Sequence, residues 1–117
     1  EFINILERST LGERRPIDDE KRIQGMLDHA DVLVLALDGE KIVGVARAVT
    51  DFHYACYLSD LAVDVAYQKI GIGKRLIDEM QGNLKQGCKI ILLSAPDASE
   101  YYPKVGFTQH PSAWVLA

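Results

Sequence analysis

The spacing of apolar residues changes period several times along the chain, and each change marks an element. Phe2, Ile5 and Leu6 share one helical face, and Leu11-Gly12 ends that pattern. Pro16 then breaks the chain before Asp18-Asp19-Glu20, acidic residues suited to the start of a second helix whose stripe is Ile23, Met26 and Leu27. Two aliphatic runs follow, Val32 to Leu37 and Ile42 to Val49, separated by Asp38-Gly39-Glu40-Lys41, which is hairpin chemistry. A loop at Asp51-Phe52-His53 leads into a third run, Tyr54 to Val63, completing an antiparallel meander. From Ile72 to Gln86 the period turns helical, with Ile72, Leu76, Ile77, Met80 and Leu84 on one face and Lys74, Arg75, Asp78 and Glu79 opposite. Gly87 suits a C-cap, and Lys89 to Ala95 reads as a buried strand reached by a crossover. Pro96 to Tyr102 predicts a short helix closed by Gly106, and Ala113 to Leu116 a last strand. The result is an α/β fold in which helices flank a mixed, mostly antiparallel sheet.

Composition adds limits rather than detail. A chain of 117 residues, 48% hydrophobic and 26% charged, suits a single domain over residues 1–117 with no need of disulfide staples. Its longest apolar run, Val32 to Leu37, falls far short of the ~20 residues that cross a bilayer, and the first residues lack the pattern of a secretory signal. Cys56 and Cys88 have no CxxC spacing and no partner histidines, which predicts free thiols in a reducing cytoplasm. The net charge of -4 argues against nucleic-acid binding and tilts the chain toward cationic ligands. No His, Cys and carboxylate cluster has metal-ligand spacing, so no metal is expected.

The most informative stretch is Gln68-Lys69-Ile70-Gly71-Ile72-Gly73-Lys74, between a predicted strand and a predicted helix. Glycines there let successive backbone N–H groups turn toward one point, and the helix N-terminus adds its positive end, a combination suited to a diphosphate. A Walker A loop is excluded by Gln68 and Arg75, and a dinucleotide fingerprint by Leu76. On its own such a turn is also read as simply a tight connection. About thirty residues on, Tyr101-Tyr102-Pro103-Lys104-Val105-Gly106-Phe107 closes the later short helix.

Together, Gln-x-x-Gly-x-Gly opening one helix and Tyr-x-x-x-Gly-Phe closing another resemble the GNAT superfamily of acyl-CoA-dependent N-acetyltransferases, over roughly residues 17–116. Leu61-Ala62-Val63-Asp64 also resembles that superfamily's central strand entering its pyrophosphate loop. Members usually begin with a strand before the first helix, and that strand has no counterpart in this chain. The resemblance implies a sheet splayed between strands 54–63 and 89–95. It also implies acetyl-CoA as cofactor, its pyrophosphate held by the amides of Ile70, Gly71, Ile72, Gly73 and Lys74 with help from Gln68 and Lys69. The edge at Leu61, Ala62 and Val63 would pair with pantetheine, the Leu61 N–H stabilising the oxyanion. Tyr102 would be the general acid for the departing thiolate; a phenol and a thiol are close enough in pKa for that transfer. Outside the resemblance, Tyr102 also reads as an amphipathic core tyrosine.

Asp60 leads the candidates for general base, because a carboxylate in an apolar strand is unusual, and a salt bridge to Arg47 is the competing reading. Strict alternation would set Cys56, Leu58, Asp60 and Ala62 on one face and Tyr57, Ser59, Leu61 and Val63 on the other. Arg14 and Arg15, His53 and Tyr57 are candidates for the acceptor side, with a solvated turn the alternative for the arginines and a solvated loop for His53. If Arg14 and Arg15 face the acceptor pocket, the acceptor carries a carboxylate or phosphate beside its amine. The expected activity is direct acetyl transfer to a primary amine of a small molecule or peptide; the rival is an acyl-CoA-binding sensor without turnover. A homodimer is the default expectation from the resemblance, and Trp114 suits either a dimer contact or packing on the last helix.

Overall fold

The computed structural model describes residues 1–117. Its sheet has four strands in the order β1 (Val32–Asp38), β2 (Lys41–Thr50), β3 (Ala55–Val63) and β4 (Lys89–Ile91). β1, β2 and β3 form the predicted meander, and the Asp38↔Lys41 pair closes a two-residue turn at Gly39-Glu40. β4 joins β3 in parallel through Ala55↔Lys89, Cys56↔Ile90 and Tyr57↔Ile91. Pairing stops there while β3 runs on to Val63, so the sheet splays open between the two strands.

Helices cover both faces. α1 (Phe2–Arg8) and α2 (Glu20–Asp28), joined through a 3-10 turn at Leu11–Arg14, bury Ile5, Leu6 and Ile23 against Val45 and Ala62. Asp19 caps α2 by accepting from the Arg22 N–H at 3.1 Å. On the other face α3 (Ile72–Gly82) sets Leu76, Ile77 and Met80 against Val32, Ala46, Ala48, Cys56 and Leu58. α4 (Tyr101–Lys104) follows a 3-10 turn at Pro96–Ala98.

Three sequence expectations require correction. The helix predicted to Gln86 ends at Gly82, where the N–H of the capping residue Asn83 turns back to the Met80 carbonyl. The strand predicted over Lys89 to Ala95 pairs only to Ile91, because the splay removes its partner; Leu93 is half-exposed. No strand forms at Ala113 to Leu116: Trp114 and Leu116 are fully exposed, and β-propensity without a partner strand stabilises nothing.

β3 contains a further departure. Arg47 pairs with Asp60 but Ala48 pairs with Leu58, leaving Ser59 as the extra residue of a β-bulge. The strand changes faces there. Cys56 and Leu58 face α3, whereas Ala62 joins the α1/α2 core and Leu61 and Val63 pack toward α3. Strict alternation fails at Ser59, and the bulge is the reason.

Candidate functional site

The loop from β3 to α3 begins with Asp64. Its N–H donates to the Val43 carbonyl at 2.8 Å, and its carboxylate accepts from the Ala66 N–H at 2.9 Å and from Arg8 Nη1 at 2.9 Å. The Ala66 N–H first, with Arg8 behind it, holds this carboxyl below the usual carboxylate range. A 3-10 turn, Val65–Tyr67, follows, and the Gln68 amide donates to the Val63 carbonyl at 3.0 Å. Lys69 (φ 68°) and Gly71 (φ 91°) then adopt left-handed conformations. Alternating hands turn neighbouring N–H groups toward one side, and none of the N–H groups from Gln68 to Lys74 donates within the chain. Those of Ile72, Gly73 and Lys74 are the unpaired first-turn donors of α3, at the positive end of its dipole. This cradle can hold a diphosphate with backbone alone. The side chain of Ile70 lies exposed and that of Lys74 pairs with Asp78.

The Tyr-x-x-x-Gly-Phe motif lies against that cradle. A methyl group on Gly73 would run into the Tyr101 hydroxyl, so α4 rests on the first turn of α3. Tyr102 stands edge-on to both Tyr101 (5.4 Å between centroids) and Phe107 (5.5 Å), and the Phe107 N–H donates to its carbonyl at 3.0 Å. Burial pushes the Tyr102 hydroxyl above the ordinary phenol value and Tyr101 adds to the rise, while the positive charge of Arg15 opposes it. Leu61, Ala62 and Val63 lie on the part of β3 beyond its pairing with β4. Sequence motifs distant along the chain therefore meet at the first turn of α3.

Asp60 is fully buried on the α1/α2 side of β3, between two guanidinium groups. One oxygen accepts from Arg15 Nε at 2.5 Å and the other from Arg47 Nε. Arg15 Nη2 donates to the Ser59 carbonyl at 2.6 Å, and Arg47 Nη2 to the Ser59 hydroxyl at 2.8 Å. The salt bridge to Arg47 that the sequence offered as the competing reading is present. Arg15 joins it, which no local signal in the sequence reveals, since 45 positions separate the partners. Arg14 is exposed and presents its carbonyl to Arg15 Nη1.

The remaining acceptor-side candidates are exposed and are not brought together: His53 precedes the first β3–β4 pair and Tyr57 belongs to the last. His53 is exposed, its N–H donating to Asp51 at 2.9 Å in a turn whose carboxylate also gathers the Tyr54 and Ala55 N–H groups. Tyr57 is exposed near the last β3–β4 pair. Cys56 is fully buried and its thiol is pushed up by that burial; Cys88 lies 3.9 Å from the Thr50 hydroxyl, and both thiols are free. No helix is long and apolar enough to cross a membrane. A polar cavity of about 410 Å³ lies between α1 and the β1–β2 turn, but it shares no lining residue with the cradle or Tyr102.

Comparison with known proteins adds context to this geometry. A family model described as an acetyltransferase (GNAT) domain matches residues 15–115. Among curated relatives, "GCN5-related N-acetyltransferase 1, chloroplastic" of Arabidopsis thaliana is 35% identical over 82% of this chain and 51% of its own length. The "Uncharacterized N-acetyltransferase ycf52" of Pyropia yezoensis is 27% identical over 93% of this chain and 67% of its own. The chain thus spans about half to two thirds of these relatives. Among solved structures, the GNAT family acetyltransferase SP0256 of Streptococcus pneumoniae superposes with a TM-score of 0.70 at 30% identity, over 82% of this chain and 79% of that one.

Proposed function

The chain belongs to the GNAT acetyltransferase family, and on that premise we propose that it moves an acetyl group from acetyl-CoA to a primary amine of a small molecule or peptide. The observation that carries this reading is the contact of Tyr101 with Gly73, which sets Tyr102 beside a cradle of unpaired amides. The residues present fit the cofactor: backbone donors for a diphosphate, and a strand edge for the amide groups of a pantetheine arm. When bound, acetyl-CoA supplies an activated acetyl thioester.

The chain's own residues then have separate tasks. The amides of Ile70, Gly71, Ile72, Gly73 and Lys74, with Gln68 and Lys69 shaping the turn, grip the diphosphate. Leu61, Ala62 and Val63 would hold the pantetheine arm along the strand edge, and the Leu61 N–H would stabilise the thioester oxygen as negative charge develops there. Tyr102 would supply the proton that the departing thiolate takes up; a hydroxyl pushed up by burial stays protonated at neutral pH. Asp60 has both oxygens engaged by guanidinium groups and is fully buried, so it presents no free oxygen to an incoming amine. The amine's proton passes to solvent on the open side of β3, beside which Tyr57 lies at the last β3–β4 pair. Cys56 is no covalent carrier, since its thiol is buried and disfavoured as thiolate. Direct attack in a ternary complex follows. Free thiols suit a reducing compartment, the cytoplasm or the chloroplast named for the Arabidopsis relative.

The test is a screen of amine acceptors (amino acids, polyamines, aminosugars, peptide N-termini) that follows release of free CoA thiol, run on the native chain and on Tyr102→Phe. The proposal expects turnover on at least one acceptor, about 10²–10⁴-fold slower in the variant with CoA affinity retained. Tight CoA binding with no turnover on any acceptor would identify a sensor of acyl-CoA instead.

A further inference from the structure

The bulge at Ser59 carries more contacts than a local irregularity needs. Its carbonyl accepts from Arg15, its hydroxyl from Arg47, and the next residue, Asp60, spans the same two guanidinium groups. Arg47 comes from the neighbouring strand β2 and also reaches the Met26 carbonyl of α2 at 3.3 Å. Arg15 comes from the segment between the first 3-10 turn and α2. One buried carboxylate thereby ties three separate parts of the chain to one point of β3.

That point decides two things the transfer depends on. The bulge sends Leu61 and Val63 toward α3, so it sets the direction of the strand edge beyond the last β3–β4 pair. α4, which carries Tyr102, rests on the first turn of that same α3, so the strand edge and the proton donor share one support. We propose that Arg15 and Asp60 act as a pair of positioning residues: the carboxylate aims Arg15, and the two together hold the Ser59 bulge so that the Leu61–Val63 edge and Tyr102 keep one mutual register. The inference rests on the acetyl-transfer reading above.

A buried carboxylate between two cations is an all-or-none arrangement. Removing one partner leaves uncompensated charge, and a lysine reproduces at most one of the contacts that Arg15 makes through separate nitrogens. A structural role alone would lower the melting temperature; a positioning role changes turnover in protein that remains folded.

The experiment compares Arg15→Met, Arg15→Lys, Asp60→Asn and the Arg15→Met/Asp60→Asn double variant. It measures kcat and KM by thiol release well below each melting temperature, CoA affinity by calorimetry, and amide hydrogen exchange at residues 59–63 in the unliganded protein. The expected result is a kcat lower by about tenfold or more in each single variant, Arg15→Lys included. CoA affinity falls by less than kcat, since the diphosphate cradle is separate and only the pantetheine edge is loosened, and exchange at 59–63 accelerates. The double variant loses no more than the worse single, because the two residues act as one unit. Losses that multiply in the double variant, or single variants that melt earlier with kcat and exchange unchanged, overturn the proposal. Should Asp60→Asn fail to fold, the Arg15 variants decide by the same kcat and exchange readouts, as Arg15 is partly exposed. Failure of the acetyl-transfer reading looks different: the native chain then neither binds CoA nor releases thiol, while exchange at 59–63 still reports whether the clamp holds the bulge.

Discussion

A single methyl group placed at two helical glycines should have opposite effects. Gly25 lies inside α2 with nothing within 4 Å of the position a Cβ would take. Alanine there recovers helix propensity worth up to about 1 kcal/mol, or a rise of ~4 °C in melting temperature for a domain of this size. Gly73 is also helical, in the first turn of α3, but its Cβ would overlap the Tyr101 hydroxyl. The ring must swing, and because it packs edge-on to Tyr102 it disturbs that ring as well. Overpacking of this kind costs about 1–3 kcal/mol, so Gly73→Ala should be neutral to ~2 kcal/mol less stable after the propensity gain. Tyr101→Phe removes the obstructing oxygen, and the double variant should recover stability relative to Gly73→Ala. Urea unfolding of the variants gives the comparison, with thiol release as the functional readout; transfer should fall in Gly73→Ala and return in part with Tyr101→Phe. If Gly73→Ala stabilises the chain as much as Gly25→Ala does, the contact between α4 and α3 is not what positions Tyr102.

Other outcomes follow from the same structure. Burial raises the Tyr102 hydroxyl above the 10.0 of an ordinary phenol, and a general acid works while protonated, so the alkaline limb of kcat should lie above pH 10 and move higher still in Arg15→Met, which lacks the opposing charge. Tyr67, Tyr101 and Tyr102 all have raised values, so the unfolded chain releases these protons first; stability present below pH 10 should be lost as pH climbs past it, measurable by thermal melts at stepped pH. Met80 is fully buried among Leu76, Ile77 and the sheet, so Met80→Ala should cost about 2–5 kcal/mol in urea unfolding. Trp114→Ser should shift stability by less than ~0.5 kcal/mol, since the indole is 94% exposed.

Local patterning accounts for much of this molecule. The meander, its turn at Gly39-Glu40, the stripes of α2 and α3, and the glycine-bearing turn ahead of α3 are all legible, because period and turn residues act over a few residues. The two motifs that point to the family were legible for the same reason. Their meeting at Tyr101 and Gly73 was not, nor was the change of face at Ser59, the second arginine on Asp60, or the short β4 and the unpaired Ala113–Leu116 segment. Each of these turns on partners far away in the chain. A carboxylate in an apolar strand announces only that something must neutralise it; which residue does so, and whether a proton acceptor remains, is decided by the burial and charge pairing that arise once strands and helices have closed around it.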